Sequence, residues 1–145
     1  MTAEDQNLSS GIAAFEAKHF NTAYPLLKPL AEAGNTEALY RMAIMCQNGL
    51  GMVADEKKAF DYMKQAAERG HALAQHGLGF MYMQGECVAQ NGREAEKWFL
   101  KAAEQGMSGS LTTLALMYKD GTGVEKDEQK ARELLQQAGF NPDDF

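Results

Sequence analysis

Apolar and small side chains recur along this chain of 145 residues at a helical spacing, and the whole pattern repeats every 36 residues. The columns that keep this spacing without an insertion are Gly34, Gly70 and Gly106; Gly49, Gly85 and Gly121; Met45, Met81 and Met117; Ala59, Ala95 and Ala131; and Ala66, Ala102 and Ala138. The register predicts one solenoid domain over 1–145: a divergent hairpin over 1–33, repeats over 34–69, 70–105 and 106–139, and a tail over 140–145.

Each repeat is predicted to contain two helices, which makes the chain all-α with eight helices in four antiparallel hairpins. Gly49 and its equivalents fall where a left-handed cap would end the first helix of a repeat. Asp55, Asn91 and Asp127 fall where an N-cap would start the second helix. At the chain start, Thr2-Ala-Glu-Asp5 predicts a capping box that opens the divergent hairpin.

One face of each predicted helix alternates small and large apolar residues. On the first helix of repeat 1, the small Ala38 and Ala43 share a face with the larger Met42 and Cys46. Trp98 lies in the corresponding core column of the second helices, so its side chain is predicted to be buried. One hairpin cannot bury such a face alone, and stacking of successive hairpins is therefore predicted to form a right-handed α-α superhelix.

These columns resemble the Sel1-like repeat family, which is related to the tetratricopeptide repeats. Repeat 2 has its Leu-Gly-x-Met-Tyr segment at 78–82, repeat 3 has its Gly-x-Gly-Val loop at 121–124, and repeat 1 has Asp55, Lys58 and Ala59. Val53 is paired with the loop valine of the family. The chain departs from the pattern where Cys46 replaces a tyrosine and Cys87 replaces the second loop glycine.

The resemblance implies a non-enzymatic adaptor or scaffold whose partner is another protein. Some members of the family look like β-lactamase or penicillin-binding enzymes, which are secreted and carry a disulfide in each repeat. This chain lacks both features. An enzyme of this kind is nevertheless kept as an alternative hypothesis. A second alternative is a structural protein that self-associates, and the expected state is a monomer or a weak homodimer.

The resemblance also implies that the first helices line a concave groove. Positions 40 and 44 and their equivalents lie opposite Met42 on the helix, where polar residues are expected, yet most are apolar or aromatic. A partner peptide or helix is predicted to bind there; the candidate residues are Tyr40, Arg41, Ile44, Asn48, His76, Phe80, Gln84, Thr112 and Leu116. The alternative that 44, 80 and 116 only pack between successive first helices stays open.

Charge narrows the choice of partner. The net charge is −6 and no run of Lys or Arg exceeds two, which argues against binding of nucleic acid.

No apolar run approaches the length of about 20 residues that a membrane span requires. The first ten residues do not resemble a secretory signal, so a cytoplasmic location is expected.

No catalytic, cofactor-binding or metal site is predicted. His71 and His76 are five residues apart, a spacing that does not place them on one helix face, and they are expected to lie on the surface or between helices. Cys46 is predicted to be a buried, inert thiol. Cys87 lies in a loop, where a redox role is a minor alternative. Phosphate-loop and serine-nucleophile motifs are missing from the sequence.

Overall fold

A computed structural model describes residues 2–141 and 143, and the regular structure of these residues is helical, with no strand. Within that part of the chain the helices are α1 (Ala3–Glu16), α2 (Phe20–Glu32), α3 (Thr36–Asn48), α4 (Glu56–Glu68), α5 (Ala72–Gln84), α6 (Gly92–Glu104), α7 (Ser108–Asp120) and α8 (Glu128–Gln137). The predicted all-α class with eight helices is confirmed over these residues. Pro142, Asp144 and Phe145 of the predicted tail lie outside the described residues.

The chain forms two compact units, an N-terminal unit up to Ala74 and a C-terminal unit from Gln75 onward. In the N-terminal unit α1 packs on α2, α2 on α3, and α3 on α4. In the C-terminal unit α6 packs on α7, and α7 packs on α8. The boundary between the units falls within α5 rather than at a junction between two repeats.

Short-range hydrogen bonds start the helices where the sequence predicts. Thr2 and Asp5 form the predicted capping box at the start of α1. Each second helix of a repeat begins with a side-chain oxygen that accepts the N–H three residues later, at Asp55 (3.1 Å), Asn91 (3.2 Å) and Asp127 (3.0 Å). These predicted caps are therefore confirmed.

The residue at the N-cap position of the first helix differs among the three repeats. Asn35 Oδ1 accepts the N–H of Ala38 at 3.0 Å, and His71 Nδ1 accepts the N–H of Ala74 at 3.1 Å. Met107 occupies the third of these positions and makes no side-chain cap bond. Helix α7 therefore begins without the side-chain acceptor that its two counterparts have.

Replacing Met107 by asparagine is expected to supply that acceptor. The matched control is Met107→Ala, which removes the same side chain without adding an acceptor. We expect Met107→Asn to be more stable than Met107→Ala by about 1 kcal/mol, the usual contribution of an N-cap. Urea denaturation of both variants measures the difference, and equal stabilities would contradict the prediction.

Alanine and serine columns let the helices approach closely. Ala38, Ala59, Ala95 and Ser110 are all 0% exposed. Larger side chains fill the space between them: Leu27, Leu39, Met42, Met45 and Met63 in the N-terminal unit, and Met83, Phe99, Leu114, Met117 and Leu135 in the C-terminal unit. Trp98 is buried as predicted, with the ammonium groups of Lys97 and Lys101 over its ring.

Left-handed backbone conformations end the first helices. Gly49 (φ +67°) and Gly121 (φ +73°) are the predicted left-handed C-caps of α3 and α7. Two residues after Gly85, Cys87 has φ +64°, which a residue with a side chain rarely adopts. The repeat geometry thus imposes a glycine conformation on a cysteine.

The pairing of Val53 with the family's loop valine is wrong. Val53 is 87% exposed, whereas the Sδ atom of Met52 lies 3.4 Å from Sγ of Cys46. Met52 is 36 residues before Val88 and 72 before Val124, and Val124 packs against the apolar core of the C-terminal unit. Met52 therefore occupies the column of Val88 and Val124. The 36-residue register, and not the residue type, determines which loop side chain turns inward.

Candidate functional site

An open apolar cleft of about 320 Å³ lies in the C-terminal unit, between the last turns of α5 and α7. It is lined by Phe80, Met83, Gln84, Thr113, Leu116, Met117, Asp120 and Thr122. Three of these residues, Phe80, Gln84 and Leu116, belong to the predicted groove. The structure therefore brings these three together around one cavity.

Two large apolar side chains stand exposed in this cleft. Phe80 is 38% exposed and Leu116 is 43% exposed, while Met83 and Met117 beneath them are buried. Single exposed apolar residues are common on protein surfaces. Here two of them lie together over an apolar floor, and contiguous exposed apolar surface is where another molecule can bind.

Polar groups form the rim of the cleft. Gln84 is the last residue of α5, and Asp120 is the last residue of α7. The hydroxyl of Thr113 donates to the carbonyl of Gly109 at 2.9 Å, so it is engaged within its own helix. Over residues 2–141 and 143, no Lys, Arg or His forms an ion pair with Asp120. The cleft thus combines an apolar centre with one unpaired carboxylate.

The predicted groove residues on α3 lie in the N-terminal unit. Tyr40 and Ile44 are half-buried, and the Tyr40 ring stacks on that of His71 with centroids 4.7 Å apart. Burial raises the pKa of the Tyr40 phenol. The exposed Asn48 donates its side-chain amide to the carbonyl of Ile44 at 2.9 Å. These side chains are thus partly used in packing within the N-terminal unit.

Arg41 connects α1 to α3. Its guanidinium lies 3.4 Å from a Glu16 carboxylate oxygen and 3.6 Å from one of Glu37, and it sits over the Phe15 ring at 4.9 Å from the centroid. Its side chain is only 17% exposed. Arg41 therefore stabilises the first hairpin against α3 rather than presenting a free charge.

His76 and Thr112 make contacts within the helices of the C-terminal unit. The His76 Nδ1 atom forms a 2.8 Å hydrogen bond with the hydroxyl of the fully buried Ser110. Its ring also packs on Phe99, with centroids 5.3 Å apart. The Thr112 hydroxyl donates to the carbonyl of Ser108 at 3.4 Å. Of the two predicted placements of His76, on the surface or between helices, the structure shows the second, with the imidazole in contact with side chains of α6 and α7.

Burial lowers the pKa of His76, because water cannot fully hydrate the half-buried ring and the charged form is therefore disfavoured. The unfolded chain takes up this proton near pH 6.5, whereas the folded chain takes it up at a lower pH. Stability is therefore expected to fall as the pH drops below about 6.5. His76→Asn should remove this component, which denaturation at pH 8 and pH 5 measures. The control is His19→Asn at an exposed position; equal pH dependence of wild type and His76→Asn would refute the prediction.

A larger polar cleft of about 770 Å³ lies between the start of α6 and the loop that joins α7 to α8. There the Tyr118 hydroxyl donates to Glu96 Oε2 at 2.8 Å, and Lys130 Nζ donates to the Tyr118 oxygen at 3.0 Å. The hydrogen bond with Tyr118 raises the pKa of Lys130, and burial raises that of Tyr118. These three side chains therefore satisfy one another's hydrogen bonds within the polar cleft.

Neither cysteine lies in the apolar cleft. Cys46 is fully buried, as predicted, and burial raises the pKa of its thiol, which disfavours the reactive thiolate. Cys87 is half-buried in the loop after α5. Among the described residues, no group of His, Cys, Asp or Glu side chains could hold a metal ion. No helix in that part of the chain has the length and apolar character needed to cross a bilayer.

Sequence reasoning missed five of the lining residues: Met83, Thr113, Met117, Asp120 and Thr122. The sequence did indicate Asp120, since it lies 36 residues after Gln84 and 72 after Asn48, both of which were predicted as groove residues. The repeat register alone is therefore enough to include Asp120 among the predicted groove residues. Met117 carried no such signal because it belongs to the repeating Met45, Met81 and Met117 column, which indicates the core.

Comparison with known families identifies three repeats in this chain. The family model of the Sel1 repeat matches residues 36–71, 72–107 and 111–139, which together make up most of the chain. The matched ranges begin within five residues of the repeats predicted from the spacing. No curated protein matches the chain by sequence.

Solved structures show the same architecture. A Sel1 repeat protein from Oxalobacter formigenes is 32% identical with a TM-score of 0.76, and the match covers 90% of this chain and 54% of that one. The c5321 protein, a protective antigen present in uropathogenic Escherichia coli strains and displaying an SLR fold, is 33% identical with a TM-score of 0.82 over 94% of this chain and 30% of that one. The chain thus spans about half of the first protein and under a third of the second.

A more distant structure shares the fold alone. Helicobacter pylori cysteine rich protein B (hcpB) is 19% identical with a TM-score of 0.55, and the match covers 95% of this chain and 90% of that protein.

Proposed function

This chain belongs to the Sel1 repeat family, whose members are generally non-enzymatic protein-interaction modules, and we propose that it binds a peptide segment or a helix of a partner protein in the cleft between α5 and α7. The supporting observation is the pair of exposed side chains, Phe80 and Leu116, over the buried Met83 and Met117. Removing apolar surface of this kind from water contributes a favourable term of about 25 cal/mol per Å², from which the costs of association are subtracted.

The size of the cleft favours a segment over a whole domain as the part that enters it. Its volume of about 320 Å³ lies at the small end of the roughly 300–1,000 Å³ typical of ligand pockets. A few side chains of a peptide or of one helix face fill such a space. Recognition through apolar anchors on one face of a helix, set in a groove, is a recurring mode of peptide binding.

The test is selection of random 15-residue peptides, displayed on phage, against the full chain. Enriched peptides are then measured by fluorescence anisotropy with wild type and with the double variant Phe80→Ala, Leu116→Ala. We expect the double variant to bind at least about tenfold more weakly, which corresponds to about 1.4 kcal/mol. Both side chains are exposed, so the variant is expected to stay folded.

Leu100→Ala is the matched control, because Leu100 is 39% exposed on α6 and does not line the cleft. It should bind the selected peptides as wild type does. Selection that enriches no peptide, or affinities that the double variant leaves unchanged, would refute the proposed function. Light scattering of wild type and double variant tests the self-association alternative, since a dimer formed through the cleft would dissociate in the double variant only.

A further inference from the structure

The carboxylate of Asp120 occupies a position where a helix by itself disfavours negative charge. Asp120 is the last residue of α7, and the C-terminal end of a helix carries a partial negative charge from its unpaired carbonyl groups. Lys119, its neighbour in the last turn, forms no ion pair with it in the described part of the chain. An unneutralised carboxylate therefore adds to the negative potential already present at this end of the cleft.

Asp120 and the apolar anchor of the cleft lie on the same face of α7. Leu116 and Asp120 are four residues apart, which places their Cβ atoms about 5–6 Å from each other on one side of a helix. Phe80 and Gln84 repeat this arrangement on α5, with an apolar residue one turn before a polar one. The cleft therefore has an apolar half and a polar half, and only the α7 side of the polar half carries a charge.

This arrangement is complementary to a partner with two features. An apolar side chain would cover Phe80 and Leu116, and a cation would lie within one helical turn of it, against Asp120. A cation is favoured both by the carboxylate and by the two helix C-termini. The net charge of −6 attracts basic partners at long range and repels acidic ones.

Resting on the proposed function, we infer that the cleft recognises a basic amphipathic segment of a partner protein, in which a large apolar residue and a lysine or arginine are one helical turn apart. The apolar residue supplies affinity by covering the cleft, and the cation supplies specificity through Asp120. Segments with an acidic residue in place of the cation are rejected because two carboxylates would then face each other.

The peptides selected on the full chain test this inference first by their sequences. We expect enrichment of Lys or Arg three or four residues from a large apolar residue. We then expect Asp120→Asn to weaken binding about 2- to 5-fold, as loss of one exposed ion pair does. Asp120→Lys should weaken it about tenfold or more, and replacing the peptide's cation by glutamate should restore binding to Asp120→Lys.

Glu104→Gln is the matched control for Asp120→Asn. Glu104 is an exposed carboxylate at the last position of α6, and it does not line the cleft. Its removal should leave peptide affinity unchanged. Removal of the Asp120 charge should in addition raise the midpoint of thermal unfolding slightly, because it relieves repulsion at the end of α7. If Asp120→Asn binds the peptides more weakly and also unfolds at a higher temperature, the loss of binding is not caused by a loss of stability.

The outcomes distinguish the inference from the function on which it rests. Selected peptides that lack a basic preference, or that bind Asp120→Asn as tightly as wild type, would overturn the inference, while their loss of binding to Phe80→Ala, Leu116→Ala would still support the proposed function. Failure to enrich any peptide would overturn both. Affinity that falls less steeply with added salt in Asp120→Asn than in wild type would support the ion pair.

Discussion

Replacing Phe99 by alanine is expected to lower the free energy of unfolding by about 3–5 kcal/mol, the largest loss we expect from a single substitution in this protein. The Phe99 side chain is fully buried on α6 and belongs to the apolar core that includes Leu114 and Met117 of α7. Its ring also packs on His76, and Gly79 of α5 leaves the space that the ring occupies. Truncation therefore creates a cavity that contacts three helices.

The matched control is Phe80→Ala, which removes the same side chain from an exposed position in the same unit. We expect this variant to lose less than about 1 kcal/mol, as substitutions outside the core usually do. Chemical denaturation of both variants measures the two losses from the transition midpoints. A loss below about 1 kcal/mol for Phe99→Ala would show that the core relaxes around the missing ring.

Replacing Gly92 by alanine is expected to lower the free energy of unfolding by about 1–3 kcal/mol, although alanine is the better helix former. Gly92 is the buried first residue of α6, and a Cβ atom there would overlap the carbonyl oxygen of Gly123 and approach Cγ1 of Val124 to 2.6 Å. The overlap with Gly123 involves backbone, so the loop between α7 and α8 has to shift to relieve it.

Gly109→Ala is the control, and we expect it to change stability in the opposite direction. Gly109 is the second residue of α7 and is exposed, and outside its chain neighbours and its own helix backbone no atom lies within 4 Å of the position that a Cβ would occupy. Alanine there should raise the free energy of unfolding by about 0.5–1 kcal/mol, the usual difference in helix propensity. Equal effects of the two substitutions would contradict the close approach of the loop to α6.

Stability and partner binding are expected to be separable in the C-terminal unit. Phe99 and Phe80 lie on helices of this unit, but one is fully buried and the other lines the cleft. Variants of the cleft can therefore be tested for binding without loss of the fold.

The helix starts and ends were predictable because they depend on neighbouring residues. A cap at Asp55, Asn91 or Asp127 needs a side chain and a backbone N–H three residues later, and no other part of the chain. The left-handed ends at Gly49 and Gly121 follow from the conformational freedom of glycine. The error at Val53 arose where residue type was followed in place of the repeat register.

The candidate site was predictable only in part, because positions that are equivalent in the repeat differ in their surroundings. Ile44, Phe80 and Leu116 occupy one column, yet Ile44 is half-buried while the other two are exposed. Arg41 was predicted beside the groove and instead pairs with Glu16, 25 residues away. His76 was also predicted there, and its ring is held by Ser110 and Phe99.

The sequence by itself determined the 36-residue register, the all-helical class, the caps and the faces that become buried. Each of these properties depends on periodicity or on contacts within a few residues, so the order of residue types along the chain is sufficient to predict it. Only the tertiary structure decided that Phe80, Leu116 and Asp120 border one cleft and that Gly92, unlike Gly109, has no room for a methyl group. These properties depend on what a different helix or loop places beside each residue, which the identity of that residue does not specify.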